Sequence, residues 1–322
     1  MLLADARGHR FPNQRTLSRA PVRIVDADIY GTLEPLNIHG PLFTSTLLEF
    51  ASYFRDTPRY TRDRLGHFYT STDITYLDKP AGGPILDRPD AQFPKKDEGT
   101  PKRAMMILHD NNPRADRILQ AAGRYHPIKH GGWWHHKVAN AHITASLHLS
   151  ALEENIPFIA PDPIAEDKAV KIDGHTLVPD YLMGIGRYFA LETDMGNEPG
   201  HVNDPEMYHR RKSYERMYEQ YHQLIAVPQS DGSKLYNKTY NIPRDKPLMV
   251  LFVTTVPSKL ALMEKVIMEL SGGKGCNWFL MKHIPAESFS AYHSPKPLST
   301  LWTEPWKRAG RPDFYINNPA RQ

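Results

Sequence analysis

The chain has 322 residues, which is enough for two domains that each bury a core of ordinary size. Its formal net charge of +4 permits nucleic-acid binding without requiring it, because local clustering of charge matters more than the total. The single cysteine, Cys276, excludes an internal disulfide framework and a thiolate zinc cluster, and no apolar run approaches the ~20 residues of a membrane helix. These features predict a soluble cytoplasmic protein.

Residues 1–36 are basic and have little apolar periodicity, which predicts an N-terminal arm that packs weakly if at all. Two helices are predicted next, over residues 40–54 and 59–69, because apolar residues such as Leu47 and Phe50 recur at helical spacing. The second helix carries three arginines that fall largely on its polar side: Arg59, Arg62 and Arg64.

A strand over residues 74–82 and a strand over residues 104–109 flank a loop rich in proline, glycine and charge. The order helix, turn, helix, strand, loop, strand is typical of a winged helix, whose second helix can enter the major groove of DNA while the hairpin contacts the backbone. A winged helix that binds protein is the alternative. This domain is predicted over residues 37–125, with phosphate contacts from Arg59, Arg62, Arg64, Lys95, Lys96, Lys102 and Arg103.

A long amphipathic helix predicted over residues 135–154 contains four histidines. His135 and His142 share a face, but His148 lies off it and no cysteine assists, so structural hydrogen bonding is favoured over a zinc site. Near an acidic cluster, His135 or His136 could serve as a phosphate contact or general base.

Residues 171–194 are predicted to form two strands joined by a glycine turn. Because side chains alternate along a strand, Glu192 and Asp194 point to one face, and Asp180 can join them if the strands pair. Such a cluster of hard oxygen ligands suits Mg²⁺, Mn²⁺ or Ca²⁺. Solvated charges near the strand ends are the alternative.

A helix over residues 205–224, with an apolar stripe that includes Tyr214 and Tyr221, is followed by a buried strand, a helix and a last strand that ends at residue 283. From residue 286 to 322 an extended C-terminal tail is predicted. The order of elements over residues 135–285 resembles the PD-(D/E)XK nuclease-like α/β fold of restriction endonucleases, with Pro179-Asp180 and Glu192-Thr193-Asp194 at its motif positions.

In that family an acidic pair holds a divalent metal, and a lysine two residues after the second acid assists the attacking water. The resemblance therefore implies Mg²⁺ or Mn²⁺ on Asp180 and Glu192, with Asp194 as an additional ligand. Asp194 stands in the place of the lysine, which the neighbouring helix could supply as Lys212. A nuclease would use Asp180, Glu192 and Lys212 as its catalytic residues.

A winged helix followed by a degenerate nuclease-like domain resembles the replication-relaxation family of bacterial plasmid and mobile-element proteins. The resemblance rests on short motifs that begin at Gly40, Tyr76, His135, His175 and Phe189. It implies a protein that binds double-stranded DNA during plasmid replication or relaxation, with a weakly active or inactive nuclease-like domain. The alternatives are a metal-dependent DNA endonuclease that nicks DNA, and a non-catalytic scaffold for other replication or conjugation proteins.

Overall fold

The protein is a mixed α and β protein that divides into two compact units. The first unit comprises Met1–Leu149 and Glu287–Leu298, and the second comprises Ser150–Ala286 and Ser299–Gln322. The computed structural model describes residues 3–4, 10–11, 17–54, 58–87, 107–108, 113–128, 134–161, 169–172, 174–195, 213–290 and 295–317. Within these ranges, no helix is both long enough and apolar enough to cross a membrane.

The first unit combines helices with short strands. Its helices are α1 (Asp26–Asp28), α2 (Glu34–His39), α3 (Thr44–Ser52), α4 (Pro58–Thr70), α5 (Pro113–Ala121) and most of α6 (Trp134–Glu153), and a π-helical turn (Ile29–Leu33) joins α1 to α2. Its strands are β1 (Leu3–Ala4), β2 (Arg10–Phe11), β3 (Val22–Arg23), β4 (Leu42–Phe43), β5 (Ile74–Tyr76), β6 (Lys79–Pro80) and β7 (Ile107–Leu108).

The predicted helix pair is present as α3 and α4. Leu47 and Phe50 of α3 are buried, and so are Leu65 and Phe68 of α4, as the apolar spacing of the sequence indicated. A further amphipathic helix, α5, buries Ile118 and Leu119. Local periodicity was therefore sufficient to locate these elements.

The prediction of a weakly packed arm over residues 1–36 is wrong for its described second half. Ile29, Leu33 and Leu36 recur at helical spacing and are at most 1% exposed, so the segment forms part of the core. The π-helical turn ends at Leu33, two residues before Pro35, which has no N–H group to donate to a helical hydrogen bond. Gly31 lets this turn approach α3, since a Cβ there would lie 2.9 Å from Cα of Ala51.

The predicted wing differs from the observed pairing. β5 turns back at once into β6 through Leu77 and Asp78, both with positive φ, as in a two-residue type I′ hairpin. The strand expected to complete the wing, β7, pairs with β4 instead. The loop from 88 to 106, which carries Lys95, Lys96, Lys102 and Arg103, lies outside the described residues.

The second unit is built on a mixed sheet of seven strands, in the order β16-β15-β14-β13-β12-β11-β8. β12, β13 and β14 are parallel, and the other neighbours are antiparallel. The strands are β8 (Phe158–Ile159), β11 (Tyr181–Ile185), β12 (Arg187–Asp194), β13 (Leu248–Thr254), β14 (Phe279–His283), β15 (Trp306–Arg308) and β16 (Arg311–Phe314), with a separate hairpin of β9 (Val170–Ile172) and β10 (His175–Leu177).

Two crossover helices pack against one face of this sheet. They are α7 (Tyr214–Ile225), between β12 and β13, and α9 (Pro257–Leu270), between β13 and β14; the shorter helices are α8 (Leu235–Thr239) and α10 (Thr300–Thr303). The core between this face and the helices contains Ala190, Phe252 and Met281 from the strands, with Tyr221 and Val266 from the helices. This packing fixes which strand residues face α7.

The prediction of an extended C-terminal tail over residues 286–322 is wrong for residues 306–314. Its residues 306–314 form β15 and β16, which extend the sheet beyond β14, and Trp306 is fully buried. Gly275 allows this contact, because a Cβ there would lie 2.2 Å from the carbonyl oxygen of Ala309. The division into units also differs from the predicted boundary at residue 135, since α6 belongs to the first unit up to Leu149.

Candidate functional site

Strands β11 and β12 bring the predicted acidic residues to one face of the sheet. Leu182 pairs with Ala190, and both belong to the core beneath α7, so alternation puts Asp180, Glu192 and Asp194 on that same face. The backbone N–H of Thr193 donates a hydrogen bond of 2.8 Å to Oδ2 of Asp180. The predicted sidedness of the acidic residues is confirmed.

The two acids of β12 are buried and accept hydrogen bonds from α7. Glu192 and Asp194 are 1% and 2% exposed. The hydroxyl of Tyr221 donates to Oε1 of Glu192 at 2.7 Å, and the hydroxyl of Tyr214 donates to Oδ2 of Asp194. The Thr254 hydroxyl is 3.4 Å from the same Asp194 oxygen. Each buried carboxylate thus has a tyrosine donor from the neighbouring helix.

Tyr221 keeps its proton. Burial raises the pKa of Tyr221 well above its ordinary value, and the negative charges of Glu192 and Asp180 raise it further. A phenol in this setting remains neutral at physiological pH and donates a hydrogen bond to the carboxylate. The arrangement therefore ties α7 to β12 through hydrogen bonds to ionisable acceptors.

The acidic residues do not form a metal-binding group within the described chain. No set of three or more His, Cys, Asp or Glu side chains there is placed to hold a metal ion. The predicted ligands Asp180, Glu192 and Asp194 share a face, and two of them accept hydrogen bonds from tyrosine hydroxyls. Lys212, the predicted migrated lysine, lies outside the described residues.

The arginines predicted to contact DNA differ in their surroundings. Arg62 is exposed on α4, beside the apolar stripe in which Leu65 and Phe68 are buried. The backbone of Arg59 lies in the first turn of α4, and its side chain is outside what the structure describes.

Arg64 is a correction, because its guanidinium is used inside the first unit. Its Nε donates to Oδ1 of Asp28 at 2.8 Å, and its Nη2 donates to the other Asp28 oxygen and to the carbonyl of Arg23. Asp28 is 3% exposed, and the Arg64 side chain is 12% exposed. The guanidinium also lies over the ring of Phe68. Arg64 is therefore a structural residue and not a phosphate contact.

The four histidines of α6 also lie in different surroundings. His135 is exposed and His136 is partly exposed; both belong to the first unit, whereas the acidic residues belong to the second. His142 is fully buried and lies 3.4 Å from the hydroxyl of Thr46. His148 lies 3.0 Å from His39, which also contacts Thr144. These buried histidines make structural hydrogen bonds, as predicted.

Sequence reasoning missed the partners of the acidic residues. Tyr214 and Tyr221 were identified only as members of an apolar stripe, although a tyrosine inside such a stripe needs a hydrogen-bond partner for its hydroxyl. Asp28 was missed as well. Its signal was an acidic residue beside Ile29 in a segment whose apolar spacing indicates burial.

Comparison with known proteins assigns the chain to no group. No protein-family model matches it, and no curated protein and no solved structure matches it either.

Proposed function

We propose that the protein binds double-stranded DNA in plasmid or mobile-element replication or relaxation, through the helix pair α3 and α4 of the first unit. The observation that carries this proposal is the exposure of Arg62 on α4, the second helix of an adjacent pair whose apolar side is buried. A helix held in this way presents its polar side to a partner, and arginine is suited to phosphate.

The second unit is proposed to be nuclease-like without efficient cleavage. Its strand and helix order, with the acids on β11 and β12, supports the nuclease-like assignment. Inactivity is supported by the burial of Glu192 and Asp194 and by their tyrosine partners, because a metal ion needs accessible carboxylate oxygens that converge on it.

The test of DNA binding is the double variant Arg59→Ala, Arg62→Ala. We expect it to bind a fluorescein-labelled duplex more weakly than the wild type. The slope of log affinity against log salt concentration should also become less steep by about two, because each lost phosphate contact removes roughly one. Fluorescence anisotropy over a series of salt concentrations measures both quantities. Arg64 is left unchanged, since its loss would disturb folding.

A matched control removes two positive charges elsewhere. Lys171 and Lys265 of the second unit are exposed, and their replacement by alanine changes the net charge equally. We expect this control to bind like the wild type. Equal affinity of the Arg59/Arg62 variant and the wild type would remove α4 from the interface, and a wild type that binds no duplex would favour the scaffold alternative.

A plasmid nicking assay tests the second unit. We expect supercoiled plasmid incubated with the wild type and Mg²⁺ or Mn²⁺ to remain intact, because the described acidic residues form no metal-binding group. Nicking that is lost in both Asp180→Ala and Glu192→Ala would instead establish the endonuclease alternative, with Lys212 as the next residue to replace. Tyr221→Phe is a useful companion, since it frees an oxygen of Glu192 from its tyrosine donor.

A further inference from the structure

The second unit carries opposite charges at the two ends of its parallel strands. Glu192 and Asp194 lie at the carboxyl end of β12. Five basic residues lie near the opposite end of these strands, where β12, β13 and β14 begin and β15 turns into β16. We call this set the basic rim: Arg187, Lys246, Lys274, Arg308 and Arg311.

Backbone hydrogen bonds bring the residues of the basic rim together at one end of the strands. Arg187 opens β12, and the N–H of Tyr188 donates to the carbonyl of Pro247, which follows Lys246. On the other side of β13, the N–H of Cys276 donates to the carbonyl of Ala309 at 3.0 Å. This bond joins the segment before β14, which contains Lys274, to the turn between β15 and β16.

Two arginines of the basic rim pack on one aromatic ring. The guanidinium carbons of Arg187 and Arg308 lie 5.4 and 5.5 Å from the ring centroid of Phe314. Phe314 is 1% exposed, so it supports the two cations without offering a surface on which a base could stack. Charge that is held in place by packing loses less entropy when it meets an anion.

Arg311 adds its charge to the same place. Burial lowers the pKa of Arg308, Asp313 acts in the opposite direction, and the positive charge of Arg311 lowers it further. In the register of β15 and β16, Arg311 is also the backbone partner of Arg308. Asp313 acts on Arg308 and Asp245 pairs with Lys246, whereas Lys274 and Arg311 are exposed to solvent. These two exposed cations can therefore meet an anionic partner.

We infer that the basic rim binds the phosphate backbone of duplex DNA. Adjacent strands lie roughly 4.8 Å apart, so the edge from β12 to β15 spans about 14 Å. Duplex DNA carries one charge per ~1.7 Å of its axis, and an edge of this length faces several phosphates. The rim offers cations rather than exposed rings, which favours a duplex backbone over the stacked bases of a single strand.

The acidic end of the sheet is far enough away not to oppose this binding. The eight residues of β12 separate Arg187 from Asp194 by about 23 Å at ~3.3 Å per residue. This separation exceeds the Debye length of about 8 Å at physiological salt. DNA on the basic rim would therefore lie apart from the nuclease-like positions, which differs from what the nuclease resemblance implies. The inference rests on the proposed DNA binding and specifies a second contact surface.

The test uses the full-length double variant Lys274→Gln, Arg311→Gln, since both side chains are exposed. We expect its duplex affinity to fall and the salt dependence to become less steep by about two log units per decade of salt. The matched control, Lys171→Gln, Lys265→Gln, should show neither change. Circular dichroism melts establish that both variants fold like the wild type.

The outcomes separate this inference from the proposed function. If the Arg59/Arg62 variant weakens binding and the basic-rim variant does not, the rim inference is overturned and the proposed function stands. A wild type that binds no duplex overturns both. Equal losses in the rim variant and its control would trace the effect to net charge and overturn the inference. Phosphatidylserine vesicles provide the last arm, because loss of vesicle binding with unchanged DNA binding would identify the partner as a membrane surface.

Discussion

Replacing Asp28 by alanine is expected to lower the free energy of unfolding of the first unit by about 3–5 kcal/mol, because it removes one partner of a buried ion pair. The Asp28 carboxylate accepts hydrogen bonds from the Arg64 side chain and from the backbone N–H of Val25, at 2.8 and 2.9 Å for the Nε and Val25 donors. Without it, the largely buried Arg64 guanidinium loses its opposite charge. Hydrogen exchange of the α4 amides in the full-length protein reports the loss for this unit.

The matched control is Asp63→Ala. Asp63 precedes Arg64 in the same helix and is exposed, so its removal should change stability by no more than about 0.5 kcal/mol. Similar protection of α4 in Asp28→Ala and in Asp63→Ala would show that the ion pair does not stabilise the unit. The same experiment is needed to interpret DNA-binding variants. A variant that includes Arg64 loses stability as well as charge, so weaker binding by it could not be attributed to charge alone.

The elements that the sequence predicted well depend on local spacing. The apolar positions of α3, α4 and α7 recur every three or four residues, and β13 is an unbroken apolar run, so the local pattern is enough to predict whether each is a helix or a strand. The alternation along β12 also predicts the common face of Glu192 and Asp194 from the sequence alone.

The features that the sequence did not predict depend on partners distant in the chain. Whether an arginine on a polar helix side meets solvent or a buried acid is decided by Asp28, which is 36 residues from Arg64. Similarly, the tyrosine donors of α7 are 20 and 29 residues from the acids that they contact. Strand pairing has the same character, since β7 could complete a hairpin with β5 or join β4, and spacing does not distinguish these pairings.

The two units consequently assign different roles to similar residue types. In the first unit, an arginine predicted to bind DNA stabilises the fold, and exposed Arg62 remains available for a partner. In the second, Glu192 and Asp194, which were predicted to bind a metal ion, accept hydrogen bonds from tyrosines, and the exposed cations Lys274 and Arg311 lie towards the opposite end of the sheet. Buried acids with structural partners, together with exposed cations, support the proposal that the protein holds DNA rather than cuts it.

The buried histidines give the first unit a dependence on pH that can be stated with its sign. Burial lowers the pKa of His142 from 6.5 to about 4, and it lowers the pKa of His148 as well. His142 lies edge-on to Phe43 and Phe289, with Thr46 as its polar neighbour. A depressed histidine pKa means that the unfolded chain binds the proton more tightly than the folded chain.

Stability is therefore expected to be complete above pH 6.5 and to fall as the pH decreases towards 4, with His142 alone contributing a loss of about 3 kcal/mol. Urea unfolding of the full-length protein at a series of pH values, followed by circular dichroism, measures the slope. In His142→Gln, which keeps a polar group but does not titrate, the slope should decrease by about one proton. His135→Gln is the matched control, because this exposed histidine of the same helix should leave the slope unchanged. Wild-type and His142→Gln curves that fall in parallel would exclude His142 as the group responsible.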